Sequence, residues 1–138
     1  DANPGRMVDL PVRAQRAGVK VAVIGSPETQ APYDLVLVDA PCSGSGSWRR
    51  DPEGKWRLTD LALDRVQATQ ATILDQVAPM VRGKGWLAYA TCSLLHRENR
   101  GQVDAFLSRH DGWRLQRDHV FTPLQGGDGF YLALLQRS

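Results

Sequence analysis

Seven residues, Tyr33-Asp34-Leu35-Val36-Leu37-Val38-Asp39, constrain this chain more than any other stretch. Four consecutive apolar side chains between two aspartates alternate across both faces of a strand, so both faces call for cover. That pattern suits a central strand of a parallel sheet rather than a one-sided antiparallel one. A parallel neighbour needs a crossover, and the segment that follows supplies it. Thr59-Asp60 offers an N-cap, and Leu63, Val66, Ile73, Leu74, Val77 and Val81 recur at helical spacing. Pro79 loosens the end of that helix and Gly83 and Gly85 stop it. Trp86-Leu87-Ala88-Tyr89-Ala90 then reads as a second buried strand running into Thr91-Cys92-Ser93.

The flanks repeat the alternation. Met7, Leu10, Ala14 and Ala17 fit one face of a short helix over 6–17, with Pro11 tolerated near its first turn. Val19-Lys20-Val21-Ala22-Val23-Ile24 reads as a strand closed by Gly25-Ser26-Pro27. Downstream, 95–110 forms a helix with Val103, Phe106 and Leu107 on its apolar side, 113–119 a strand, and 130–135 a last strand after the turn Gly126-Gly127-Asp128-Gly129. The expected fold class is α/β, a Rossmann-like sheet whose early strands are parallel and whose end is an antiparallel pair. No repeat, linker or low-complexity tract interrupts it.

At 138 residues the chain holds one domain, and 42% hydrophobic residues suffice for a core. No apolar run approaches the ~20 residues of a membrane-spanning helix, and the first residues show neither a basic n-region nor an apolar h-region, so the expectation is a cytoplasmic domain without a membrane partner. A net charge of +2 is compatible with nucleic acid and decides nothing. The two cysteines stand 50 residues apart with no Cys-x-x-Cys, which excludes a disulfide scaffold and a cysteine zinc site, so no metal is expected. The chain opens Asp1-Ala2-Asn3-Pro4 without a methionine and reads as a stretch from within a longer one.

Chemistry gathers where two strands end. Ligands of a doubly wound sheet sit at the carboxyl edge of its strands, and that edge receives Asp39-Ala40-Pro41-Cys42 and Thr91-Cys92-Ser93. A right-handed crossover would set the two strands about 4.8 Å apart, bringing two thiols and a carboxylate to one crevice. The plainer readings are a cysteine as a small buried hydrophobe, Asp39 as a turn cap, and Arg49-Arg50 as a solvated loop. Two cysteines at matching strand ends, each beside small polar residues, weigh against coincidence. Ser43-Gly44-Ser45-Gly46-Ser47 lacks the Gly-Lys-Ser/Thr ending of a phosphate-binding loop.

Asp39-Ala40-Pro41-Cys42-Ser43-Gly44-Ser45-Gly46, then Arg49-Arg50-Asp51-Pro52-Glu53-Gly54-Lys55-Trp56, then Ala90-Thr91-Cys92-Ser93 resembles the Sun/RsmB-type family of RNA cytosine-5 methyltransferases. Glu98-Asn99 with Val103 and Phe106-Leu107, and the closing Gly126-Gly127-Asp128-Gly129-Phe130-Tyr131, resemble the same family, so the likeness runs over nearly the whole chain. It implies an enzyme that transfers a methyl group from S-adenosylmethionine to carbon 5 of a cytosine in ribosomal or transfer RNA. Carbon 5 is a poor nucleophile until a thiolate adds to carbon 6. By the resemblance Cys92 is that nucleophile, Cys42 assists proton loss and release, and Asp39 lies between cofactor and base. DNA cytosine-5 methyltransferases use the Pro-Cys cysteine instead, and spacing cannot choose between the two. The resemblance further assigns Asp1, Asp39 and Pro41 to the cofactor and sets Arg49, Arg50 and Lys55 beside the RNA backbone.

Two departures accompany it. The family's Gly-rich cofactor loop and first strand belong upstream of Asp1, and the acid expected after the third strand is replaced by Gly25-Ser26-Pro27. Residues 1–138 are therefore expected to be the C-terminal portion of one methyltransferase catalytic domain, inactive alone, with an exposed edge at Val36-Leu37-Val38. The alternative is a non-catalytic RNA-binding or scaffold remnant of the same fold, which an absent Gly-rich loop in the parent sequence would favour.

Overall fold

The computed structural model describes residues 3–138. Four strands form one sheet: β1 (Tyr33–Asp39), β2 (Val81–Thr91), β3 (Trp113–Phe121) and β4 (Phe130–Arg137), in the order β1-β2-β4-β3. β1 and β2 are parallel, in register from Leu35 against Trp86 to Asp39 against Ala90, while β4 runs antiparallel to both β2 and β3. The helices are α1 (Leu10–Arg16), α2 (Pro52–Arg57), α3 (Asp60–Val77) and α4 (Arg100–Arg109).

α3 is the crossover between the parallel strands. Thr59 caps it, its hydroxyl accepting from the Ala62 amide at 3.2 Å. Leu74, Ala78, Val103 and Phe106 from the α3 and α4 side meet Val38, Leu87, Tyr89, Tyr131, Ala133 and Leu135 from one face of the sheet. Strand alternation puts those sheet residues on one side. Phe106 is wholly buried and packs edge-on against Trp113, with ring centroids 5.5 Å apart. Truncating a residue so enclosed costs about 3–5 kcal/mol.

Four expectations change. β1 is an edge strand, not a central one: only β2 pairs with it, and Leu37 on its other face is 65% exposed. The edge at Val36-Leu37-Val38 expected from the resemblance is therefore present. Val19–Ile24 is not a strand, because no described segment offers it a hydrogen-bonding ladder, and Val19, Val21 and Val23 are exposed. Val81 closes no helix. It begins β2, pairing with Tyr33, and the register then slips before Trp86 meets Leu35. The intervening residues include Lys84, held at a φ of 61°. α4 also starts at Arg100 rather than 95, since residues 93–99 are taken up by the loop described next.

Candidate active site

β1 and β2 end side by side, and the Ala40 amide extends the ladder by donating to the Ala90 carbonyl at 2.9 Å. The loops that leave the two ends carry Cys42 and Cys92, whose Sγ atoms stand 3.3 Å apart. Cys42 is half-buried and Cys92 exposed. Burial first, and then the hydrogen bond with Cys92, push the Cys42 thiol up to about 12.

A polar knot beneath the thiols holds both loops. Glu98 is fully buried. Its Oε1 accepts from the Ser43 amide at 2.7 Å and from Gln70 Nε2 of α3 at 3.2 Å, and its Oε2 accepts from the Ser43 hydroxyl at 2.5 Å and the Ser93 hydroxyl at 2.6 Å. Gln70 also donates to the Pro41 carbonyl at 2.8 Å, while the Tyr89 hydroxyl donates to the Glu98 carbonyl at 2.7 Å. Asn99 extends the knot: Thr91 Oγ1 donates to its Oδ1 at 2.6 Å and its Nδ2 donates to the Ser93 carbonyl at 2.9 Å. Each such buried group left unpaired would cost about 1–3 kcal/mol.

Glycine closes the loops on a third. The Gly46 amide donates to the Cys92 carbonyl at 2.9 Å, and the Gly46 carbonyl accepts from the Gly129 amide at 2.8 Å. A Cβ at Gly46 would lie 2.1 Å from the Gly129 oxygen, so only glycine permits the approach. Asp128, beside Gly129, pairs with Arg50 and, at 3.4 Å, with Arg49. Both guanidinium side chains stay about 70% exposed. Lys55 Nζ sits 5.4 Å from the centroid of the exposed Trp56 ring.

The structure thus brings Cys42, Cys92, Asp39 and Pro41 to one edge and ties Arg49 and Arg50 to it through Asp128. Asp39 is exposed at the end of β1, while the Pro41 carbonyl is engaged by Gln70. Asp1 lies outside the described residues. Among the described residues no group of three or more His, Cys, Asp or Glu could hold a metal, and no helix is long and apolar enough to cross a membrane. Reading the sequence for sites passed over Glu98, Gln70, Ser43 and Ser93. One signal was available: Gln70 falls seven residues after Leu63 and four before Leu74, a polar residue on the apolar stripe of α3.

A parallel strand pair continued by an antiparallel hairpin, with reactive groups at its carboxyl edge, is part of a Rossmann-like α/β sheet of the methyltransferase kind. The chain belongs to the family described as 16S rRNA methyltransferase RsmB/F, which residues 1–136 match. It is 42% identical over 111 residues to the ribosomal RNA small subunit methyltransferase B of Erwinia tasmaniensis, covering 75% of this chain and 26% of that protein. To the protein of the same name from Cronobacter sakazakii it is 39% identical over 131 residues, covering 87% of this chain and 30% of the relative. Its fold matches the crystal structure of NSun6 from Pyrococcus horikoshii with SFG, with a TM-score of 0.80 and 22% identity over 99% of this chain and 40% of that one. The chain therefore spans between a quarter and a third of these two relatives' length.

The family depends on S-adenosylmethionine. That cofactor presents an ammonium, a sulfonium and ribose hydroxyls, and an exposed carboxylate at the carboxyl edge, Asp39, has the chemistry to meet them.

Proposed function

We propose that residues 1–138 are the C-terminal portion of one methyltransferase catalytic domain and carry the thiol chemistry of ribosomal RNA cytosine-5 methylation. The observation that carries this reading is the contact of Cys42 and Cys92 at the carboxyl edge, 3.3 Å between sulfurs.

Cys92 is the nucleophile. Cys92 is exposed whereas Cys42 is half-buried, so Cys92 is the sulfur open to a base arriving from solvent. The Cys92 thiolate forms a bond to carbon 6 of the cytosine, and the ring's electron pair moves onto carbon 5. S-adenosylmethionine, when bound, supplies the methyl group that carbon 5 takes up. The carbon 5 proton then leaves, the electron pair returns to the ring, and the sulfur–carbon 6 bond breaks to restore the Cys92 thiolate. Cys42, in contact with Cys92, assists this second half, in which a base takes the carbon 5 proton and Cys92 is released. Asp39, at the end of β1, orients cofactor and cytosine through hydrogen bonds it accepts. Arg49, Arg50 and Lys55 contact the RNA backbone.

The test is incubation of the full-length protein that carries this sequence with small-subunit ribosomal RNA and methyl-labelled S-adenosylmethionine, followed by nucleoside mass spectrometry. The label is expected in 5-methylcytidine. Label on another nucleoside, or none in RNA, overturns the reading.

A further inference from the structure

We infer that Glu98 is a positioning residue: its carboxylate sets the Cys42 loop against the Cys92 loop and so fixes the sulfur–sulfur contact. The inference rests on the methyl-transfer reading for its consequence, not for its geometry. Ser43 directly follows Cys42 and Ser93 directly follows Cys92, and both hydroxyls donate to one oxygen, Oε2, at 2.5 and 2.6 Å. The other oxygen takes two N–H donors, the Ser43 amide at 2.7 Å and Gln70 Nε2 at 3.2 Å. Four donors fill the four acceptor sites of a carboxylate, and only a carboxylate offers four acceptor sites and no proton. The clamp itself is held, since Tyr89 fixes the Glu98 carbonyl and Gln70 also grips Pro41, the residue before Cys42.

An amide of the same shape would fail in a defined way. Glutamine could keep its oxygen toward the two N–H donors but would turn its NH2 toward the two serine hydroxyls. Those oxygens already accept from backbone: Ser93 Oγ from the Leu95 amide at 3.0 Å, and Ser43 Oγ from the Ser45 amide at 3.3 Å. Both hydroxyl protons would lose the carboxylate and keep only the weaker hydroxyl neighbours, Ser45 Oγ at 3.0 Å from Ser93 Oγ and Ser93 Oγ at 3.4 Å from Ser43 Oγ, so the loops would be held less tightly without any loss of packing volume. Aspartate, one methylene shorter, would not span from the 3-10 turn His96–Glu98 to both loops.

The experiment reads the sulfur pair directly. Diamide withdraws two electrons and two protons from a neighbouring thiol pair, so the rate of Cys42–Cys92 disulfide formation in the full-length protein, followed by peptide mass spectrometry, reports their juxtaposition. Glu98→Gln is expected to slow it at least tenfold, with alkylation of Cys92 by iodoacetamide changed less than twofold. Its kcat for methyl transfer is expected to fall at least tenfold while KM for S-adenosylmethionine holds. A folded Glu98→Gln protein that closes the disulfide at the wild-type rate overturns the inference whatever its kcat, as does a wild-type protein that forms none. Should Glu98→Gln not fold, Ser43→Ala removes one hydroxyl donor and is expected to slow closure in the same direction; a wild-type rate there overturns it. A wild-type protein that closes the disulfide rapidly but methylates no RNA sinks the functional reading and leaves the role of Glu98 standing.

Discussion

Cys42 Sγ and Cys92 Sγ stand 3.3 Å apart although 50 residues separate them in the chain. Their meeting follows from parallel pairing of β1 and β2 in a register that aligns Asp39 with Ala90, so that each thiol leaves its strand at the same level. A shared carboxylate below them, Glu98, accepts a hydroxyl proton from each loop.

The raised proton affinity of Cys42 fixes the sign of an alkaline effect on stability. The folded protein keeps this proton up to about 12, whereas the unfolded chain releases it near 9.0. The folded state therefore binds more protons between those values, and stability falls as pH rises through that window, the full contribution being present below pH 9. Tyr89 and Tyr131, raised mainly by burial, act in the same direction. Denaturant midpoints measured from pH 8 to 11 should decline; a flat or rising series would show that the thiol is not shielded.

Gly46 marks the close approach of three loops. Gly46→Ala puts a methyl group 2.1 Å from the Gly129 oxygen, a backbone atom that cannot step aside. The expected loss is at least about 1–3 kcal/mol, the usual cost of overpacking. Gly25→Ala, with no atom within 4 Å of its Cβ, is the control and should stay within about 0.5 kcal/mol. Equal melting temperatures for the two variants would mean the loops are not interlocked.

Asp128 neutralises part of the charge that Arg49 and Arg50 present. Replacing both arginines with alanine should weaken RNA binding and lower the salt slope by roughly 0.7 for each phosphate on single-stranded RNA that is no longer neutralised. Asp128→Asn should do the reverse and strengthen binding at low salt by freeing two guanidinium groups. Matching salt titrations for wild type and both variants would return the arginines to the role of a solvated loop.

Elements whose pattern is local were legible in the sequence. The apolar run over 33–39 and the aromatic and aliphatic runs in β2 and β4 became strands because each has a partner to complete its hydrogen bonds. Val19–Ile24 carries the same local pattern and forms none, since β-structure is a property of a pair and nothing described pairs with it. Val81 keeps helical spacing with Val77, yet Pro79 ends the helix before it and leaves Val81 to open β2. Asp39 and the two cysteines were visible as reactive groups at strand ends. Glu98 was not, because its four donors come from residues 5 to 55 positions away and no periodicity records such a meeting.

The division of labour between the thiols is tested most directly by trapping. With the full-length protein, S-adenosylmethionine and substrate RNA, Cys92→Ala should give neither 5-methylcytidine nor any protein–RNA adduct on a denaturing gel. Cys42→Ala should still attack carbon 6 but release slowly, so that a covalent adduct accumulates. Adducts that vanish with Cys42→Ala and accumulate with Cys92→Ala would contradict this account and assign the attacking sulfur to Cys42.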